Sequence, residues 1–289
     1  MDLSVVIVNF NTKQLTIDAI RSVYHSSMDY SFEILLVDNN STDGSVEAIQ
    51  HEFPEITLIE NNENVGFSRA NNQAIRMATG RYILLLNSDT IVHEETLQVM
   101  LDFMESHPKV GASGCKVVLP DGTLDKACRR GFPTPEDSFY HFSGLAKLFP
   151  KNPRFNQYQL RYLDPDKDYP VDCLVGAFML LRREVIDQVG LLDEKFFMYG
   201  EDIDWCFRIK EAGWEIYYYP YTSIVHHKGA SSRRKPFKIL YEFHRAMILF
   251  HRKHFSKKYS FLVNLLVYIG VTLKFLLSIV MNLLKANSK

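Results

Sequence analysis

The sequence predicts an α/β fold: a mostly parallel central sheet flanked by helices, followed by a helical, amphipathic C-terminal tail. Two patterns in the first 118 residues carry the sheet. Short apolar, β-branched runs alternate with segments of helical spacing, and those runs are continuously apolar, as strands buried on both faces must be. The third observation is a charge split hidden inside a net charge of −1. Residues 1–232 carry 21 Lys and Arg against 33 Asp and Glu, whereas residues 233–289 carry 12 against one, Glu242. An acidic body with a basic, apolar tail describes a soluble domain held at an anionic surface.

Ser4–Val8, Glu33–Val37, Ile56–Ile59, Tyr82–Leu86 and Val110–Val118 read as strands. Leu3–Val8 is too short for the apolar core of a secretory signal, so it reads as the first of them. Gln14–Tyr24, Gly44–His51, Ser68–Met77 and Glu94–Glu105 have helical spacing and the length that parallel crossovers require. Asp-Gly at 43–44 and 121–122 marks turns, the second closing a hairpin between Val117 and Leu124. From 119 to 170 the pattern dissolves into Pro, aromatic and charged residues, as a variable insertion or lid would. Cys173–Leu181 is strand-like and contains Gly176. Glu201–Ala212 is helical, Trp214–Tyr219 and Ser223–Val225 read as short strands, and Pro236–His254 as a helix. The expected organisation is a domain over 1–232, made of halves 1–118 and 171–232 around the insertion, and a basic helical region over 233–289. The four cysteines form no CxxC pair, and a reduced, cytoplasmic setting is expected.

Ligands of open α/β sheets bind at the carboxyl ends of the strands. Here those ends hold Asn9 and Asn11, Asp38 through Ser41, Asn61 through Gly66, and Asn87-Ser88-Asp89. Asn and Asp are ordinary turn formers, but their presence at all four ends points to a polar site. A buried strand delivering Asp89 suits a hard cation, since Mg²⁺ and Mn²⁺ need few carboxylates when substrate phosphates complete the shell. An Asx turn is the plainer account of that triplet. A second cluster, Glu201, Asp202 and Asp204, lies in the first turn of a helix, where the dipole favours acids. Gly200 before it, behind aromatic residues, suggests close approach to a ligand, and Arg208 sits at i+4 from Asp204. Third, His226 and His227 are adjacent on a strand, so they point to opposite faces and at most one serves a given pocket.

Taken together these stretches resemble the family 2 glycosyltransferases, and most closely their rhamnosyltransferase-like bacterial members. The resemblance rests on SVVIVNFNT (4–12), ILLVDNNSTDGS (34–45), NNENVGFSRANNQAI (61–75), TGRYILLLNSDTIV (79–92), GAFMLLRREVIDQVGLLDEKFFMYGEDIDWCFRIKEAGW (176–214), YPYTSIVHHKGAS (219–231) and EFHRAMILFHRKHF (242–255). The insertion and the tail beyond 257 lie outside it. It implies the GT-A fold and inverting transfer of a sugar from a nucleoside diphosphate, dTDP- or UDP-linked, to a glycan or lipid-linked acceptor. The NSD triplet stands for the family's DXD with Asn87 in place of the first acid, leaving Asp89 as metal ligand for Mg²⁺ or Mn²⁺. The resemblance also assigns Asp38, Asn9, Asn11, Asn64, Arg69, Asn87 and Ser88 to the donor. Asp202 becomes the base with Glu201 beside it, Gly176, Asp204 and Trp205 face the acceptor, and His226 or His227 is a further metal or diphosphate ligand.

The chemistry fits such parts. Displacement at an anomeric carbon needs a carboxylate to take the hydroxyl proton and positive charge to stabilise the departing diphosphate. Arg129, Arg130 and Lys228 could supply that charge without metal. The rivals lack their own signatures. No glycine-rich G-x-G-x-x-G follows the first strand, and no GxxxxGK[ST] occurs. A nucleotidyltransferase would open on a basic, Gly-rich loop, and a non-catalytic sugar-binding scaffold would not require Asp89 and Asp202 together. No nucleic-acid partner is expected.

The tail, Phe261–Leu284, is long enough to span a bilayer of about 30 Å, yet Lys274 sits near its middle, where a charge is costly. Asn264, Tyr268, Thr272, Lys274, Ser278, Asn282 and Lys285 share one arc with several apolar residues, and the opposite arc is apolar. The basic run from His251 to Lys258 suits anionic headgroups. The expectation is an amphipathic helix lying peripherally on the inner face of the cell membrane. A spanning anchor, or a helix packed on the domain or on a second subunit, is the rival.

Overall fold

The computed structural model describes residues 1–228 and 236–287. Its strands are β1 (Leu3–Asn9), β2 (Phe32–Asp38), β3 (Thr57–Glu60), β4 (Tyr82–Asn87), β5 (Thr90–Val92), β6 (Val110–Val118), β7 (Tyr169–Pro170), β8 (Phe178–Arg182) and β9 (Glu215–His226). Its α-helices are α1 (Lys13–Tyr24), α2 (Ser45–Glu52), α3 (Phe67–Met77), α4 (Thr96–Ser106), α5 (Pro135–Phe142), α6 (Leu145–Leu148), α7 (Arg183–Val189), α8 (Glu201–Glu211), α9 (Pro236–Phe250) and α10 (Phe261–Asn287).

The described strands form one sheet in the order β3-β2-β1-β4-β8-β6-β9-β5, with β7 also pairing to β9. Its first four members are parallel, and the apolar runs of β1, β2 and β4 are buried from both sides, while β3 at the edge is only half-buried. The register pairs Asn9 with Asp38 and Val8 with Asn87, so the polar ends lie level. The other half mixes directions. β8 runs antiparallel between β4 and β6, while β6 and β9 are parallel. β5, a strand of only three residues that periodicity did not suggest, runs antiparallel to the end of β9 and pairs Thr90 with His226.

The two short strands expected at 214–225 are one strand, β9. The ladder passes from Cys115–Tyr219 to Lys116–Ser223 with an irregularity that holds Pro220, Tyr221 and Thr222. Proline lacks the amide proton a ladder needs, so the interruption falls where the sequence has one. The segment at 119–170 is anchored at Val118–Leu124 and Arg130–Cys173 and carries α5 and α6. Arg129 ties it together. Its guanidinium donates to the carbonyls of Leu160 and Leu163 (3.2 and 3.0 Å) and lies over the Tyr218 ring. All four cysteines are buried and free.

The C-terminal region docks on α8. After α9 a π-helical turn, His251–Phe255, seats Phe255 against Phe207 and Phe250. Asp204, fully buried, bonds His254 and Lys253 (both 2.7 Å) and Arg208 (3.0 Å). Part of the basic run expected at headgroups is therefore committed to the fold. Lys253 also meets Asp193 and Lys258 meets Glu211, whereas Arg252 and Lys257 remain exposed.

The polar arc of α10 turns inward. Asn264 bonds His251 (2.7 Å) and donates to the Ser256 carbonyl (2.8 Å), and Tyr268 lies against the His251 ring. Phe275, from the same arc, packs on Tyr241 and His244 of α9. The other arc is bare: Leu262, Ile269, Leu273, Leu276, Leu277, Val280 and Leu284 are each between 45% and 65% exposed. The helix therefore docks on the domain and still presents a row of apolar side chains. Phe261–Leu284 is long and apolar enough to cross a membrane by length and composition.

Candidate active site

The carboxyl ends of β1, β2 and β4 open onto a cavity of about 1070 Å³. Its floor is knitted by polar bonds. Buried Asn9 donates to Asp38 Oδ1 (2.7 Å) and Ser41 Oγ (3.1 Å) and accepts from the hydroxyls of Thr12 and Thr16 (both 2.8 Å). The Asp38 carboxylate also takes the Ser41 amide (2.7 Å). Asn11, in the left-handed region at φ +55°, accepts from the Thr42 amide (2.8 Å). These three residues hold the strand ends in place, and the cavity lining passes instead through Val8, Phe10 and Asn39. Asn64, Asn87, Ser88 and Asp89 do line it. Gly66 is needed beside them, because at φ +89° a Cβ would strike the Phe197 carbonyl at 2.6 Å. Arg69 lies outside the lining, on the exposed side of α3, paired with Glu194 (3.2 Å).

Pairing of β5 with β9 brings the first acidic centre together. His226 Nε2 lies 3.2 Å from Asp89 Oδ1, and its Nδ1 lies 3.4 Å from Asp125 Oδ2. Lys228 completes the group at 2.8 Å from Asp125. Burial opposes charge on His226, but the bonds to Asp125 and Asp89 outweigh it and raise its pKa to about 9. His227 contributes its backbone amide to the Asp89 carbonyl (2.8 Å), and its ring is outside the cavity lining. Of the two histidines, strand alternation thus places His226 inward.

One carboxylate and one imidazole converging at a cavity wall fit a hard divalent ion, which would displace the second proton of the His226 ring and take diphosphate oxygens and water in its other positions. Asp125 behind the imidazole would fix its orientation. Among the described residues, no group of three or more His, Cys, Asp or Glu forms a closed metal cage.

The second centre is set by a strained turn. Tyr199 (φ +71°) and Gly200 (φ +81°) are both left-handed, and they aim the first turn of α8 at the cavity. A side chain at Gly200 would meet Ala246 of α9 and the Phe196 ring at 3.2–3.3 Å, so close approach of a helix, beyond any ligand, requires glycine there. Asp202 accepts from Arg130 Nη2 (2.6 Å) and from the Ile203 amide (2.8 Å). Arg130 is fixed in turn by the Leu174 and Ala127 carbonyls. Glu201 is buried, and its Oε2 has no hydrogen-bond partner. Burial, then the charge of Asp202, pushes its pKa up to about 8. Of the two neighbouring carboxyls, Asp202 is paired with Arg130 and Glu201 is held protonated by its burial.

Gly176 lines the cavity as well. Asp204 and Trp205 do not. The former is held by Arg208 and by the π-helical turn, and the Trp205 indole donates to the Gly190 carbonyl (2.9 Å).

The family model for glycosyl transferase family 2 matches residues 4–190, and that for glycosyl transferase family group 2 matches 165–285. The chain is 32% identical over 228 residues to N-acetylglucosaminyl-diphospho-decaprenol L-rhamnosyltransferase of Mycobacterium tuberculosis, covering 75% of this chain and 73% of that protein. The chain is a family 2 glycosyltransferase. Rhamnosyltransferase WbbL of Escherichia coli is 29% identical over 213 residues, 71% of this chain and 76% of WbbL. Among solved structures, the mannosyltransferase PcManGT of Pyrobaculum calidifontis, in complex with GDP-Man and Mn²⁺, superposes with a TM-score of 0.58 at 19% identity. That likeness covers 87% of this chain and 63% of the mannosyltransferase chain. At such identity it speaks for the fold alone, and that fold is GT-A.

Within this glycosyltransferase, sequence reasoning passed over Asp125, which holds both His226 and Lys228. Nothing local marks it, because its partners lie about a hundred residues downstream. Arg130 was visible as a spare cation but not as the partner of Asp202.

Proposed function

We propose that this glycosyltransferase moves rhamnose or another hexose, with inversion, from a dTDP- or UDP-linked donor to a hydroxyl of a lipid-linked glycan in cell-surface polysaccharide synthesis. The observation that carries this reading is one cavity lined by Asp89 and His226, by Asp202, and by the apolar face where α9 and α10 meet. The names of the rhamnosyltransferase relatives support the sugar, and the diphospho-decaprenol in one of them supports the lipid.

In this reading Asn64, Asn87 and Ser88 face the donor, over the frame built by Asn9, Asn11 and Asp38. Asp89 and His226 would hold Mg²⁺ or Mn²⁺, which supplies charge neutralisation for a leaving diphosphate. Lys228 adds positive charge at the same end. Asp202, oriented by Arg130, accepts the acceptor's proton as the new bond forms. Glu201 stays protonated beside it, which keeps a second negative charge from building up. A base and a stabilised leaving group at separate places on the cavity suit backside displacement, hence inversion.

The insertion, with exposed Phe139, Phe142, Leu148 and Phe149, and the bare arc of α10 together suit a membrane-facing side. We place that side on the inner leaflet, with α10 in the plane of the interface. A panel of nucleotide sugars, assayed first for hydrolysis and then for transfer to lipid-linked sugars, tests the reading. Turnover of no donor would leave a sugar-nucleotide-binding scaffold instead.

A further inference from the structure

The cavity runs from Asp202 toward α10, and on that side its lining is almost wholly apolar. One charge interrupts it. The Lys274 ammonium lies 4.0 Å from the centroid of Phe142 in the insertion and 5.1 Å from that of Phe243 in α9. Ring faces attract a cation but do not neutralise it. Among the described residues no carboxylate forms an ion pair with Lys274, and burial alone acts on its pKa, lowering it to about 8. Lys274 is thus a half-buried, largely charged group with no counter-ion, on the wall of a substrate cavity.

A second polar atom, on α9 and outside the cavity lining, is also unsatisfied. His244 is held by its Nδ1, which donates to the Leu240 carbonyl (2.8 Å), and its Nε2 is buried with no hydrogen-bond partner. The ring packs on Phe275, the residue after Lys274, and burial with the Lys274 charge keeps it neutral. At about 1070 Å³ the cavity is slightly larger than the usual range for small-molecule sites, about 300–1,000 Å³. That volume has room for an acceptor beside the donor.

We propose that Lys274 binds the phosphate that joins the acceptor's sugar to its lipid. The sugar then points along the cavity to Asp202, and the hydrocarbon leaves between α5 and α10 onto the bare apolar arc. This rests on the lipid-linked acceptor proposed above and adds the group that recognises it. A cation on rings reads an anion, so a neutral linkage between sugar and lipid should be rejected.

The test compares two acceptors in detergent: one sugar linked to a prenyl chain through diphosphate, and the same sugar linked to that chain through an ether. The wild-type enzyme is expected to favour the diphosphate acceptor in kcat/KM by about 10- to 100-fold, the worth of one or two charge-assisted hydrogen bonds. Lys274→Met should collapse that ratio to near one, carried in KM, and Lys274→Arg should restore most of it. Nucleotide binding by each variant establishes that it is folded. A Met variant that keeps the ratio, or loses both acceptors equally, overturns the proposal. So does an equal loss of pelleting with acceptor-free anionic vesicles, which would make Lys274 a headgroup contact. Wild-type enzyme that hydrolyses donor yet uses neither lipid acceptor would instead sink the acceptor class itself.

Discussion

The Arg130 guanidinium lies 2.6 Å from the Asp202 carboxylate, and both side chains are almost wholly buried. The pair joins the insertion to the first turn of α8, so a segment that looked variable in sequence positions the proposed base. Asp202→Asn keeps the shape and removes the proton acceptor. Turnover should fall by about 10²–10⁴-fold while nucleotide binding persists, as steady-state rates and titration calorimetry would show. Retention of more than about a tenth of the activity would rule Asp202 out as the base. Removing Arg130 instead, as Arg130→Met, leaves a buried carboxylate unpaired and should cost about 3–5 kcal/mol in urea unfolding.

Glu201 should make the enzyme's stability depend on pH with a definite sign. Its pKa is raised from the usual 4.5 to about 8 in the folded chain by burial and by Asp202. Between those values the unfolded chain has released the proton and the folded chain retains it, so stability falls as pH rises. Glu201→Gln mimics the protonated form and escapes this loss. The variant should match the wild type near pH 4.5, gain on it up to about pH 8, and keep a constant advantage above that. Unfolding midpoints across the range would check it, and a gap independent of pH would refute the protonated Glu201.

Activity should vanish in excess chelator and return with Mg²⁺ or Mn²⁺, and Asp89→Ala should abolish the response. Asp125 gives a sharper test, since it touches the imidazole and would not touch the ion. Asp125→Asn should weaken Mn²⁺ binding by about 10- to 100-fold, the usual worth of a group that orients a ligating histidine, as a paramagnetic titration would read. Full activity without metal would leave the leaving group to the remaining cations. Arg129 is committed to the Leu160 and Leu163 carbonyls and Arg130 to Asp202, whereas Lys228, though paired with Asp125, lines the cavity and is half exposed, so it would be the one to replace.

How far the sequence carried the reading follows from how local each signal is. β1, β2 and β4 are announced by runs of consecutive buried residues, and the level of their ends follows from parallel register. Asp89 and Asp202 stand in contiguous motifs. Asn9 and Asp38 were legible as polar strand ends, but their bonds to each other and to Thr12, Thr16 and Ser41 turn them inward, which only the folded geometry reveals. Asp204 was misleading for a similar reason: its partners, His254 and Lys253, belong to a turn fifty residues away. Hydrophobic periodicity found both arcs of α10, yet it could not tell which one would face the protein. That depends on His251, Phe142 and Phe243, all on other elements.

The orientation of α10 leads to the last expectation. Its polar arc is occupied by the enzyme, so binding to a bilayer must come mainly from Leu276, Val280, Leu283 and their exposed neighbours. Each large apolar side chain moved from water into lipid contributes about 1.5–3 kcal/mol. Charge adds less than the basic run suggests, because Lys253 and Lys258 pair with acids of the fold and leave Arg252 and Lys257 at about 1 kcal/mol each. The protein should therefore pellet with anionic vesicles, lose only a minor part on addition of high salt, and be released by alkaline carbonate. Replacing Leu276, Val280 and Leu283 together by Gln should cut pelleting by more than tenfold, since none of the three lines the cavity. Complete release by salt would mean that charge alone holds the enzyme. Resistance to carbonate would mean that Phe261–Leu284 crosses the bilayer, which its docking through Asn264, Tyr268 and Phe275 argues against.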